Sequence, residues 1–335
     1  MRKLKILIAC PGQWTAGLDS QERGEGRWSQ NWAKTLAKYG HEVYASSMGM
    51  PNPAYHYGVN LLSDSQVPQL GKVDLFIDAA WWDNKKQYAK FDYALHVHWG
   101  LEDFLLRPDF PIEHGIGFPY NVTAGNFICD RNPHKERTFF LPIPLRDKFD
   151  SPAFGRSDIL IPHQASPAWP VKPDNAVITV DKLYSYIDKD PSIKAHWLFW
   201  DRLVGSPHTI TATKYPNNTL GYSTLPYAYV KEIISKCKIS VPLNGPSCII
   251  DVIAQGVPYV AWEDGSFFTH IAKDLGISIA KEDETPERIG EVIDILMTDE
   301  KVYTEYVYAL QDMLKDHTEE NAMGHFNHAV EVLMG

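Results

Sequence analysis

The chain has 335 residues, 44% of them hydrophobic and 22% charged, with a formal net charge of −10. That is enough apolar material for two ordinary cores and excludes bulk disorder. The negative balance argues against a nucleic-acid binder, which needs a basic surface. The four cysteines, Cys10, Cys129, Cys237 and Cys248, form no Cys-x-x-Cys pair, which points to reduced thiols in a cytoplasmic protein and away from a disulfide frame.

Lys5 to Cys10 reads as a continuous apolar strand, buried on both faces of a parallel sheet. Its apolar run is too short for a signal peptide, and no stretch reaches the length of a membrane span. A long glycine-containing loop follows, without the Gly-x-Gly-x-x-Gly spacing of a dinucleotide site; Arg23 and Arg27 lie near its end. Trp28, Trp32 and Leu36 at four-residue spacing predict a helix over 27–39, closed by Gly40, with a second strand over 41–45.

Residues 73–80 read as a buried strand ending near Asp78, and residues 93–100 as a strand with His96 and His98 on one face. In open α/β sheets, ligands gather at the carboxyl ends of strands. Asp78 and His98 are therefore the candidate general bases, with His96 behind them. No third ligand at metal-site spacing accompanies the two histidines, so no zinc is assigned. A proline-rich, aromatic stretch leads through a strand at 139–144 to a domain boundary near residue 150.

In the second half, strands are expected at 158–161, 176–180, 195–200 and 208–213. Asp188-Lys189-Asp190 ends in Pro191 and follows no strand, so it is read as a surface loop without metal. A glycine-containing break at 221–226 precedes a helix over 227–237. The stretch from 239 to 264 holds the sharpest pattern. A strand (239–243), the turn Asn244-Gly245-Pro246-Ser247, a helix (248–255), Gly256 and a strand (257–261) follow in order. A strand end and glycine turn opening a helix present backbone N–H groups at a positive dipole end, which suits phosphate. Asp251, one turn in, is placed to accept from ribose hydroxyls. Thr285 and Pro286 open a helix with Ile289, Val292, Ile293 and Leu296 on one face, and helical patterns continue to the last residues.

An acid five residues before Gly256-Val257-Pro258, led by a Pro-Ser loop, resembles the donor end of GT-B glycosyltransferases, many of which carry two glutamates eight positions apart there. Asp251 stands at the second position and Leu243 at the first. The strand–glycine loop–helix opening with Gly40-His41-Glu42-Val43 resembles the start of the same family. The resemblance implies an α/β chain of two facing, doubly wound Rossmann-like domains: an acceptor domain over 1–150, a donor domain over 151–315, and a helix over 316–335 returning to the first. It implies transfer of a hexose or pentose from a nucleoside diphosphate sugar, a UDP-sugar, to a hydroxyl acceptor, with no further cofactor. Gly245, Pro246 and Ser247 would meet the diphosphate with Lys182, the 221–226 loop and Tyr222 would hold the base, Asp251 the ribose, and His98 or Asp78 would serve the acceptor. Three alternatives stand beside it: a nucleotide-sugar 2-epimerase of the same fold, a DNA-modifying glycosyltransferase acting on hydroxymethylated bases, and a non-catalytic ligand-binding protein.

Overall fold

The computed structural model describes residues 2–13, 24–48, 54–79, 89–97, 115–118, 135–145, 147–162, 173–198, 205–223, 225–243, 249–262, 269–280 and 284–335. The chain divides into two compact units, Met1–Arg146 with Asp316–Gly335, and Asp147–Lys315.

The first unit is built on strands β1 (Lys5–Gln13), β2 (Glu42–Met48), β3 (Ala54–His56), β4 (Val59–Leu62), β5 (Lys72–Asp78), β6 (Lys90–Val97), β7 (Gly115–Phe118) and β8 (Thr138–Phe140). They lie side by side in the order β3-β4-β2-β1-β5-β6-β7-β8. All neighbours are parallel except β3 and β4, which form an antiparallel hairpin. Setting β3 aside, the chain order across the sheet is 3-2-1-4-5-6-7, the Rossmann winding, with its direction reversing between β1 and β5. Ile6, Leu7, Ile8, Leu75, Phe76 and Ile77 are buried, as a sheet covered on both faces requires.

Helix α1 (Gly24–Lys38) follows β1. Trp28, Trp32 and Leu36 are fully buried, and the two indoles pack 5.9 Å apart. Trp28 Nε1 donates to the Leu141 carbonyl and Asn31 Nδ2 to that of Pro144, both at 2.9 Å, which ties the helix to the segment after β8. The helix ends in a Schellman motif. Gly40 sits at φ +91°, its N–H donates to Ala37 O, and the His41 N–H donates to Leu36 O.

The second unit begins with β9 (Asp158–Pro162), α2 (Pro173–Lys189), β10 (Ala195–Leu198), the short helix α3 (Ile210–Thr213), β11 (Thr219–Tyr222), α4 (Tyr227–Ile234) and β12 (Cys237–Ser240). It continues with α5 (Ile249–Ala254), β13 (Ala261–Trp262), α6 (Thr269–Asp274), β14 (Ser278–Ile279), α7 (Pro286–Thr298) and α8 (Glu300–Met313). Four strands pair in parallel as β11-β10-β9-β12 and two as β13-β14. Ser240 donates to Pro258 O at 2.9 Å and accepts from the Val260 N–H at 3.0 Å, which joins the two sets. The order is again 3-2-1-4-5-6, reversing between β9 and β12.

Two expected strands are helical. Residues 176–180 lie inside α2, where burial recurs at Asn175–Ala176, Thr179–Val180, Leu183–Tyr184 and Ile187, a period near 3.6. Thr179 Oγ1 donates back to Asn175 O at 2.6 Å, the route by which a β-branched residue satisfies itself in a helix. Residues 208–213 form a 3₁₀ turn (Pro207–Thr209) running into α3. Pro207 fixes the first helical φ, which outweighs the alternating threonines. Thr285 caps α7 as expected, its hydroxyl accepting from the Arg288 N–H.

The last helix, α9 (Glu319–Met334), belongs to the first unit. Phe326 packs against Trp32 at 5.6 Å and His41 at 5.8 Å, and Leu145 donates to His317 O at 2.7 Å where the chain re-enters.

Candidate functional site

Where the strand order reverses, the connections leave in opposite directions and open a crevice at the carboxyl edge, where doubly wound sheets bind ligands. In the first unit that edge holds Asp78, the last residue of β5, in register with Ala9 on β1 and His96 on β6. The Ala79 N–H donates to Ala9 O at 3.0 Å and pins this corner. His96 Nδ1 lies 3.3 Å from Asp78 Oδ2, with side chains 15% and 5% exposed. A carboxylate accepting from Nδ1–H selects the tautomer in which Nε2 is basic, the arrangement a general base needs. The sequence ranked His96 behind His98, and the structure pairs it with Asp78. His98 lies outside the described residues, as do Gly245, Pro246, Ser247 and Arg23.

In the second unit the reversal falls between β9 and β12, and α5 follows β12. Asp251 sits in the first turn of α5, 3% exposed. Gly256 closes the helix at φ +74°, with Val257 donating to Val252 O. Arg156 spans two neighbouring segment ends, donating to the carbonyls of Gln255 at 3.1 Å and Ile234 at 3.3 Å.

Lys182 is in mid-helix, not after a strand, so the placement expected beside a diphosphate loses its basis. Its Nζ lies 2.6 Å from Asp294 Oδ2, which also accepts from Tyr186 through its other oxygen. Burial pushes the Tyr186 phenol up, with Asp294 adding to it. Asp294 itself is held below the usual carboxylate range, because the bonds from Lys182 and Tyr186 outweigh its burial. Lys182 and Asp294 border an open groove of about 630 Å³ between α2 and α7, lined also by Glu287 and Glu291, a surface that repels phosphate.

Tyr222 ends β11 with its ring stacked on His196 at 5.9 Å and 5°. Its hydroxyl meets His196 Nδ1 at 3.1 Å, and His196 Nε2 meets Asp158 Oδ2 at 3.0 Å. Asp158 opens β9 and His196 is second in β10, so this relay runs toward the amino edge. Burial alone would raise Asp158; the bonds from His196, the Lys194 amide and Ser157 outweigh it and hold the carboxyl below its usual range. Tyr222 packs against the core cluster that includes Leu198, Val230 and Ile233, and burial raises its phenol. Sequence reasoning missed the Asp158–His196–Tyr222 relay and the Asp78–His96 pair alike; both join residues of different strands, and alternation within one strand signals only which face a residue takes.

Among the described residues, no group of three or more His, Cys, Asp and Glu is arranged to hold a metal ion, and no helix is long and apolar enough to cross a membrane.

No protein-family model and no curated protein sequence matches the chain. Solved structures do match in fold. WaaG, a glycosyltransferase involved in lipopolysaccharide biosynthesis, aligns at 13% identity over 98% of this chain and 100% of its own, with a TM-score of 0.59. Phytolacca americana UGT2, complexed with UDP-2fluoro-glucose and pterostilbene, aligns at 10% identity over 99% of both chains, with a TM-score of 0.58. A putative UDP-N-acetylglucosamine 2-epimerase from Listeria monocytogenes aligns at 11% identity over 92% of this chain and 91% of its own, with a TM-score of 0.56. Two α/β units, each wound in Rossmann order, together with these likenesses across nearly the whole chain, give the protein the GT-B glycosyltransferase fold.

Proposed function

We propose that the protein transfers a sugar from a nucleoside diphosphate sugar to a hydroxyl acceptor. The observation that carries this reading is the Asp78–His96 pair at the carboxyl edge of the first unit, next to the reversal of the sheet. Asp78 orients the imidazole, and His96 accepts the proton of the acceptor hydroxyl as it attacks the anomeric carbon. The leaving diphosphate takes the electron pair of the broken glycosidic bond. The second unit binds the donor, with Asp251 on the ribose and Gly245 to Ser247, by their strand–turn–helix pattern, at the diphosphate. UDP is the favoured diphosphate, since a fold relative holds UDP-2fluoro-glucose. The nucleotide sugar is the co-substrate, no further cofactor is assigned, and the scattered cysteines suit a cytoplasmic location.

The test is calorimetric titration with UDP, GDP, ADP and CDP, followed by turnover with the sugar of whichever diphosphate binds. One diphosphate is expected to bind selectively, and Asp251→Asn to weaken it by about tenfold or more. His96→Gln should lower kcat/KM by about a hundredfold or more with that affinity unchanged. If no diphosphate binds, the reading fails. The epimerase fold relative adds one control: formation of the C2-epimeric sugar without an acceptor would identify epimerase chemistry instead.

A further inference from the structure

The last segment of the chain, residues 316–335, closes the first unit over two buried imidazoles. His41 is 6% exposed and sits where the start of β1, the end of α1 and α9 meet. Its Nδ1 accepts from the Leu4 N–H at 3.2 Å, so Nε2 carries the proton, and that N–H has no acceptor. Phe326 of α9 packs against the ring in a T-shaped contact at 5.8 Å. His317 is 1% exposed, donates through Nδ1 to the Ile143 carbonyl, and meets the Phe140 ring at 6.0 Å.

Neither imidazole has room for a second proton. On His41 it would go on Nδ1 and set one N–H against that of Leu4. On His317 it would go on Nε2 and leave a charge in a side chain cut off from water. Among the described residues, no carboxylate bonds to either ring. The charges carried beside them are engaged elsewhere: Lys38 with Glu319, Glu42 with the Tyr44 hydroxyl, and Asp316 with His325 at 3.5 Å. Burial is the largest cause that lowers both pKa values, with the amino terminus adding to it at His41 and His325 at His317.

We propose that residues 316–335 are an acid-released latch: when His41 and His317 take up protons, the segment leaves and the first unit loses its fold, while the second unit keeps its own. Both histidines titrate at about 6.5 in an unfolded chain, and folding excludes the proton. Their contribution is therefore complete above that pH and lost as pH falls toward about 4, the value in folded His317. In the second unit, Asp158 and Asp294 are held below the ordinary 3.8, so they keep their contribution through the same window. Under the sugar-transfer reading, acid disables the Asp78–His96 side and spares the donor unit; the latch itself does not depend on that reading.

The test is hydrogen exchange of the full chain at pH 7.5 and 5.0, read by mass spectrometry on peptides and corrected for the intrinsic pH dependence of amide exchange. At pH 5.0 His317 alone shifts the opening equilibrium by about thirtyfold. Peptides from 24–48 and 316–335 are therefore expected to lose protection by about thirtyfold or more, and those from 227–243 and 286–313 by less than about threefold. Returning the sample to pH 7.5 should restore protection. In His41→Asn/His317→Asn, the amides still accept from Leu4 and donate to Ile143 but bind no proton. Protection of its first unit should differ between the two pH values by less than about threefold. Equal loss in both units of the wild type, or no loss in the first, overturns the proposal whether or not the variant folds. A full loss in the folded variant does so too, because the acid sensitivity then lies elsewhere in the unit.

Discussion

His317 keeps its imidazole almost wholly out of water, with Nδ1–H donating to the Ile143 carbonyl at 3.0 Å. Burial lowers its pKa to about 4, with the Ile143 bond and Asp316 opposing the shift and His325 adding to it. An unfolded chain protonates this side chain near pH 6.5. Between about pH 6.5 and 4 the unfolded state therefore binds more protons than the folded state. Stability from this residue is full above that window and lost as pH falls through it, by on the order of 3 kcal/mol. Urea unfolding at pH 7.5 and 4.5 should show His317→Gln losing less stability on acidification than wild type by roughly that amount. Nothing in the local sequence Lys315-Asp316-His317 marks a buried group, because its cover comes from residues far away in the chain. Asp78 and His96 divide the same way: alternation identified the face of His96, whereas its partner depends on the register between β5 and β6.

The two helix-closing glycines separate conformational cost from steric cost. Gly40 and Gly256 both need positive φ, but a Cβ on Gly40 enters open space, whereas on Gly256 it would stand 2.1 Å from the Ser151 carbonyl oxygen. Gly40→Ala should cost about 1 kcal/mol, and Gly256→Ala, facing backbone that cannot turn aside, more than about 2 kcal/mol. Denaturant unfolding of the two variants measures the difference. Both closures were legible, since glycine after an apolar periodic run is a strong local signal. The β-branched run at 176–180 was not. Its β-branched composition suits a strand, and only the longer burial rhythm through Ile187 reveals a helix. A short apolar run does not by itself choose between the two states.

At the scale of the molecule, the second unit is one continuous stretch, whereas the first is completed by its distant last helix. A fragment of residues 147–315 should unfold cooperatively in urea, followed by circular dichroism. A fragment of residues 1–146 should not, because Trp32 and His41 lose the cover of Phe326. Joining residues 316–335 to the shorter fragment through a flexible linker should restore its cooperativity. The alternation of strands and helices foretold two wound sheets. Strand order did not follow from it, because it is set by pairing between segments far apart in sequence. The return of α9 also fixes a timetable. During synthesis all of unit 2 emerges before the segment that shields Trp32, so the unit begun first is finished last. Until then its indole face is exposed to any chaperone or neighbouring nascent chain, and slowing synthesis ahead of residue 316 would lengthen that exposure without altering a single contact of the finished protein.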